Sequence, residues 1–189
     1  MKKLTQILCT LLLSVVLSGL VQAQETAKTA PTKMKKKVLS SAKADNSPMA
    51  YTATYSSKFE LGDPAKSRIV LEMWKDFDDN TFERNADMLA DTAMIYLSDG
   101  TVLKGKDKMM SDVKMYRSSM SEAKSDVHAY MSFRSIDKDH DWVAIWGTEN
   151  GTMKDGTKKS TNLHEVWQFN KDVKVALIRQ YSSKLPAAQ

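Results

Sequence analysis

His164-Glu165-Val166-Trp167-Gln168-Phe169, a polar break over residues 170–173, and Lys174-Val175-Ala176-Leu177-Ile178-Arg179-Gln180-Tyr181 make up the most informative stretch of this chain. Apolar and polar side chains alternate on both sides of the break, the period of a strand with one buried face. A short polar turn between two such runs joins antiparallel neighbours. Upstream the same pattern occupies residues 125–136, 142–152 and 157–169, with turns at Lys138-Asp139-His140 and Asp155-Gly156. The second half is therefore expected to be a four-stranded meander.

The first half of the domain has a different period. Asp63-Pro64 offers an N-cap beside a proline at the first helical position, and Ile69, Val70, Met73, Trp74 and Phe77 follow at helical spacing. A second helix is expected over residues 81–89 and a third over 107–121, with Tyr116 on the buried side. Between them, two short strands over 93–97 and 101–103 meet at Ser98-Asp99-Gly100. Three helices followed by a long meander predict an α+β domain whose helices cover one face of a strongly curved, mainly antiparallel sheet.

The N-terminus reads as an address. Lys2 and Lys3 precede an apolar run over residues 7–20, and Val21-Gln22-Ala23 completes the pattern of a secretory signal cleaved after Ala23. The run is shorter than the roughly 20 residues of a spanning helix, so no transmembrane segment is expected after cleavage. The protein is expected to be periplasmic or secreted. Its one cysteine, Cys9, lies in the signal, which removes disulfides, thiolate zinc sites and cysteine nucleophiles from the mature chain. Residues 24–55, rich in Ala, Thr, Ser and Lys, form a linker, residues 56–185 the domain, and residues 186–189 a tail.

The formal net charge of +5 has its origin in these leading segments. Eight of the 28 basic residues precede Ala50 against two of the 23 acidic ones, leaving the domain with 20 and 21. A domain near neutrality gives no reason to expect a nucleic-acid partner.

The order of elements, the two quoted strands, Ala90-Asp91-Thr92-Ala93 opening the first strand and Leu103-Lys104-Gly105-Lys106 before the third helix resemble the nuclear transport factor 2-like superfamily, in its SnoaL-like branch. The resemblance spans residues 58–183. It implies a cone in which curved sheet and helices enclose one apolar pocket, used by relatives as cyclases, isomerases, dehydratases, binding modules and dimers. By that resemblance Glu165 falls where ketosteroid isomerases place the carboxylic acid that helps hold the oxyanion. Their general base falls at Leu97 and their oxyanion tyrosine at Met73, neither of which carries a proton.

Counting back from a two-residue turn at Asp155-Gly156 places Trp146 opposite Glu165, and the pocket face then comprises Met131, Phe133, Trp146, Thr148, Leu163, Trp167, Ile178 and Gln180 around Glu165, with Met73 and Leu97 nearby. The opposite face presents Tyr130, Arg134, Glu149, His164, Arg179 and Tyr181, a mixture of aromatic, Arg and paired polar groups suited to a homodimer interface. No metal site or cofactor is indicated: Asp137-Lys138-Asp139-His140-Asp141 starts like a calcium loop, but Trp142 stands where glycine is required. The expected function is binding of a small apolar or amphipathic molecule in the cone. The alternatives are a cyclase, isomerase or dehydratase with Glu165 as acid–base residue, and a dimeric protein-interaction module.

Overall fold

The computed structural model describes residues 49–185. The expected signal over 1–23, the linker up to residue 48 and the tail over 186–189 lie outside the described residues.

The first helix, α1 (Pro64–Asp79), starts as its sequence predicts. The Asp63 carboxylate accepts the Ala65 N–H at 2.9 Å, Pro64 fills the first turn, and Asn80 ends the helix in the left-handed conformation at φ 58°. Its inward face carries Val70 and Trp74, both buried. Asp76 is also buried, where an acid needs partners. It receives Arg84 Nε at 2.6 Å, Asn85 Nδ2 at 2.7 Å and Thr81 Oγ1 at 3.1 Å. These bonds fasten the next segment, expected as an α-helix, as a 3-10 helix over Phe82–Met88 that is broken at Asn85 (φ −120°). The third expected helix is α2 (Lys106–Ser118).

The strands are β1 (Phe59–Leu61), β2 (Leu89–Tyr96), β3 (Val102–Lys104), β4 (Met120–Ser135), β5 (His140–Met153), β6 (Lys158–Phe169) and β7 (Val175–Lys184). They form one curved sheet in the order β1-β4-β5-β6-β7-β2-β3. All neighbours are antiparallel except β2 and β7. The helices lie against one face, where Val70 and Trp74 pack with Val143, Ile145, Trp167, Phe169 and Ile178 in the main core. The α+β arrangement is as expected. β1 was not, because three exposed residues carry no period to detect.

One turn changes the assignment of the faces. The β5–β6 loop holds three residues, Lys154-Asp155-Gly156, closed by Met153 N–H to Thr157 O at 2.8 Å, with Gly156 at φ 87°. Ile145, not Trp146, is therefore opposite Glu165, and Trp146 faces His164. A one-residue shift turns every side chain of a strand over, and β4 follows β5 because Phe133 pairs with Trp142 and Met131 with Ala144. Met131, Phe133, Trp146 and Thr148, expected to face the pocket, thus belong to the opposite face. Conversely Tyr130 pairs with Ile145 and Arg134 with Asp141, so both stand on the helix side, as does Glu149. Between β6 and β7 the register differs from expectation by two residues: Glu165 pairs with Gln180 and Trp167 with Ile178. An even shift preserves the faces.

Trp74 of α1 reaches the sheet at Gly147. A Cβ there would lie 2.8 Å from Trp74 Cζ3 and 2.8 Å from the Asp126 carbonyl oxygen, beside the bulge between Val127 and Ala129. Gly147→Ala is expected to destabilise the domain by about 1–3 kcal/mol by overpacking, read as a lower urea midpoint. An unchanged midpoint contradicts the close approach of Trp74.

Candidate functional site

On the helix side of the sheet lies a cavity of about 470 Å³. Its floor is Leu163, Glu165 and Trp167 of β6 with Ile178 and Gln180 of β7, and its walls are Met73, Trp74 and Phe77 of α1, Ile95 of β2 and Leu103 of β3. Leu97 and the exposed Ser98, Asp99 and Thr101 stand at the mouth, and Met109, Met110, Asp112, Val113 and Tyr116 of α2 complete the lining. Most of this surface is apolar.

Glu165 is buried at the floor, 5% exposed. Trp74 Nε1 donates to Oε2 at 2.8 Å, Trp167 Nε1 to the same oxygen at 2.9 Å, and Gln180 Nε2 to Oε1 at 2.9 Å. Burial pushes its pKa up, while the three donors and the nearby His164 act against that shift. Each donor comes from a different position of the fold: the inner face of α1, the residue two along on the same face of β6, and the directly paired residue of β7.

Glu149 is a second acid in the cavity, paired on the sheet with Ser125, which also lines it. Tyr116 Oη donates to Glu149 Oε1 at 3.1 Å. Burial, then the charges of Glu165 and Asp78, raise the Glu149 pKa, against the Tyr116 bond and Arg117. Burial and the adjacent carboxylate push the Tyr116 hydroxyl up to about 12. Two acids and a phenol on one apolar cavity form a set able to donate or accept protons around a ligand.

Of the residues expected in the pocket, Met73, Leu97, Leu163, Glu165, Trp167, Ile178 and Gln180 line this cavity. Met131, Phe133 and Trp146 instead line a shallow groove on the open face with Phe59, Leu61, His164 and Val166. Thr148 is buried, with its hydroxyl 3.2 Å from His128 Nε2 and donating to Asn162 Oδ1 at 3.0 Å. Of the expected dimer residues, His164, Arg179 and Tyr181 share the open face, paired His164 with Tyr181 and Val166 with Arg179. Tyr130, Arg134 and Glu149 do not. Sequence reading missed Trp74 as a partner of Glu165 and Glu149 as a cavity acid. Gly156 carried no signal that separates the two registers, because a positive-φ glycine serves a two-residue Asp-Gly turn as well as a three-residue loop. Among the described residues no three His, Cys, Asp or Glu side chains are grouped to hold a metal.

An acid whose pKa is higher folded than unfolded holds its proton more tightly in the fold. Glu165 therefore contributes most at low pH, and that contribution is lost as pH rises from the unfolded value of 4.5 through the raised folded value. Relative to wild type, Glu165→Gln is expected to gain stability across that interval, by about 1.4 kcal/mol for each unit of elevation. Urea midpoints measured between acid and mildly alkaline pH read this out, and a difference that does not vary with pH contradicts it.

No family model matches the sequence, and no curated protein matches it. Solved structures do. A nuclear transport factor 2-like protein of unknown function from Exiguobacterium sp. 255-15 is 15% identical with a TM-score of 0.51, the match covering 62% of this chain and 99% of that one. An epoxide hydrolase of the LEH-like type from M. tuberculosis is 12% identical with a TM-score of 0.53, over 62% of this chain and 82% of that one. A protein assigned as a SnoaL-like polyketide cyclase, from Shewanella denitrificans OS-217, is 8% identical with a TM-score of 0.52, over 64% and 92%. Likeness at such identities concerns architecture rather than activity: this chain has the nuclear transport factor 2-like fold.

Proposed function

We propose that the protein is exported and binds a small amphipathic molecule in the cavity under α1 and α2. The observation that carries this reading is the cavity itself, about 470 Å³ and mainly apolar, with its polar groups confined to a few positions. That is the usual composition and size range of a small-molecule site. Trp74 and Trp167 support the reading because each spends its N–H on Glu165 and leaves ring surface for a ligand. The signal sequence and linker support export. Neutral phenylnaphthylamine, whose fluorescence rises in apolar surroundings, is expected to bind the purified protein. Leu163→Trp, which fills the floor, is expected to weaken that binding about tenfold or more with unchanged circular dichroism. Equal affinity in the variant overturns the assignment of the cavity.

A homodimer through the open sheet face is supported by a separate observation. Trp146 and His164 stack with centroids 4.7 Å apart, and Tyr181 continues the row at 5.8 Å. Nε2 of His164 is shielded from solvent and meets no hydrogen-bond partner among the described residues, a costly state for a ring nitrogen. Beside it lies the apolar groove of Phe59, Leu61, Met131, Phe133, Trp146 and Val166. A second copy laid on this face covers the groove and the row of stacked rings. Sedimentation is expected to show a dimer that Trp146→Glu converts to a monomer. A monomeric wild type, or a variant that remains dimeric, overturns it.

A further inference from the structure

Two acids shielded from solvent elsewhere in the domain are paired with bases. Asp76 is answered by Arg84, and Asp141 by Lys66 at 3.3 Å and Arg134 at 2.9 Å. At the cavity, Asp112 alone has a cation, Lys108 at 2.6 Å. Asp99, Glu149 and Glu165 have none among the described residues, and no Lys, Arg or His lines the cavity. Asp99, in the β2–β3 turn, is held ionised by the Thr101 N–H, so at least one negative charge stands at the mouth.

The walls provide the second observation. The indoles of Trp74 and Trp167 and the rings of Phe77, Phe82 and Tyr116 border the same space. Aromatic faces are negative and attract cations, most strongly where water is excluded. Glu149 adds a free acceptor: Oε1 takes the Tyr116 hydroxyl, and Oε2 receives no hydrogen bond from any described residue. An anionic ligand would face three carboxyl groups with no Lys, Arg or His on the lining to balance it. A neutral ligand gains nothing from the absence of bases.

We propose that this cavity selects a cationic amphiphile, an apolar body carrying a protonated amine, with the ammonium group at Glu149 and the apolar part against Trp74 and Trp167. This rests on the binding function assigned to the cavity above and adds the charge of the ligand. The elevated pKa values of Glu149 and Glu165 accord with it. A cation brought between buried acids that repel one another favours their ionised forms. The groups facing Glu149 are Tyr116 and Arg117 from α2, Asp78 from α1 and Glu165 from β6. Arg117 is committed elsewhere, donating to the carbonyls of Phe77 at 2.8 Å and Asp78 at 2.9 Å.

Three probes of one shape isolate the effect: aminoadamantane, neutral adamantanol and adamantane carboxylate, titrated calorimetrically into the full chain at neutral pH. The amine is expected to bind about tenfold or more tightly than the alcohol, and the carboxylate more weakly than both. Glu149→Gln is expected to narrow the amine-to-alcohol ratio to about threefold or less, and Asp99→Asn, at the exposed mouth, to narrow it by a smaller factor. Equal affinity for amine and alcohol, or preference for the carboxylate, overturns the charge selection while leaving the pocket reading intact. Failure of all three probes and of phenylnaphthylamine overturns both.

Discussion

The cavity depends on one buried carboxyl group and the three N–H donors that surround it. Burying Glu165 without partners would cost several kcal/mol, and the fold meets this with Trp74, Trp167 and Gln180 rather than with a cation. The choice of donors has structural consequences. An indole reaching from α1 to β6 fixes how far the helix stands from the sheet, and at that distance Trp74 lies on Gly147, where no side chain fits. Held off by one indole at its middle and capped by Asp63 at its start, α1 leaves a gap between itself, α2 and the sheet. The same bonds that satisfy the acid therefore hold the cavity open.

Order and type of elements were legible because they depend on period, and period survives small errors of position. α1, the β2–β3 turn, α2 and the four long strands all fall within a few residues of their expected places. Face assignment depends on parity, and parity is decided by single turns. Counting Asp155-Gly156 as a two-residue loop turned β5 over and carried β4 with it, so Trp146, Met131 and Phe133 were assigned to the cavity and Glu149 to the exterior. The β6–β7 turn was also misjudged, yet by two residues, and Glu165, Trp167, Ile178 and Gln180 kept their face. Trp74 was legible as part of an apolar helix face. Its bond to Glu165 was not, since no local pattern encodes a contact across 91 residues of chain.

Correct parity also sorts the four tryptophans into two chemistries. Trp74 and Trp167 face the helices and spend their N–H groups on an acid. Trp142 and Trp146 face away from them, where Trp142 donates to the Tyr55 hydroxyl at 3.2 Å and Trp146 stacks on His164. Tyr55 in turn lies 2.7 Å from His140 Nδ1, which ties the start of the described chain to the β4–β5 hairpin. One face is closed by the chain's own helices. The other is left uncovered, with an apolar groove beside the stacked Trp146 and His164 rings.

Within the cavity, the two acids have different capacities. Glu165 already accepts three hydrogen bonds, so ionisation requires no rearrangement of its neighbours, but those donors occupy the directions from which a ligand would approach. It acts on a ligand mainly as a charge at a distance. Glu149 accepts one bond and keeps an oxygen available, so it is placed for direct contact. Their like charges raise the cost of ionising both, a cost that burial increases and that Arg117 and His164, neither of them on the cavity lining, offset only in part. A ligand that carries its own positive charge offsets the repulsion and gains both attractions at once, whereas a neutral one does neither. The pattern of unpaired acids and ring faces thus favours a cation for the same reason that it disfavours the empty, fully ionised site.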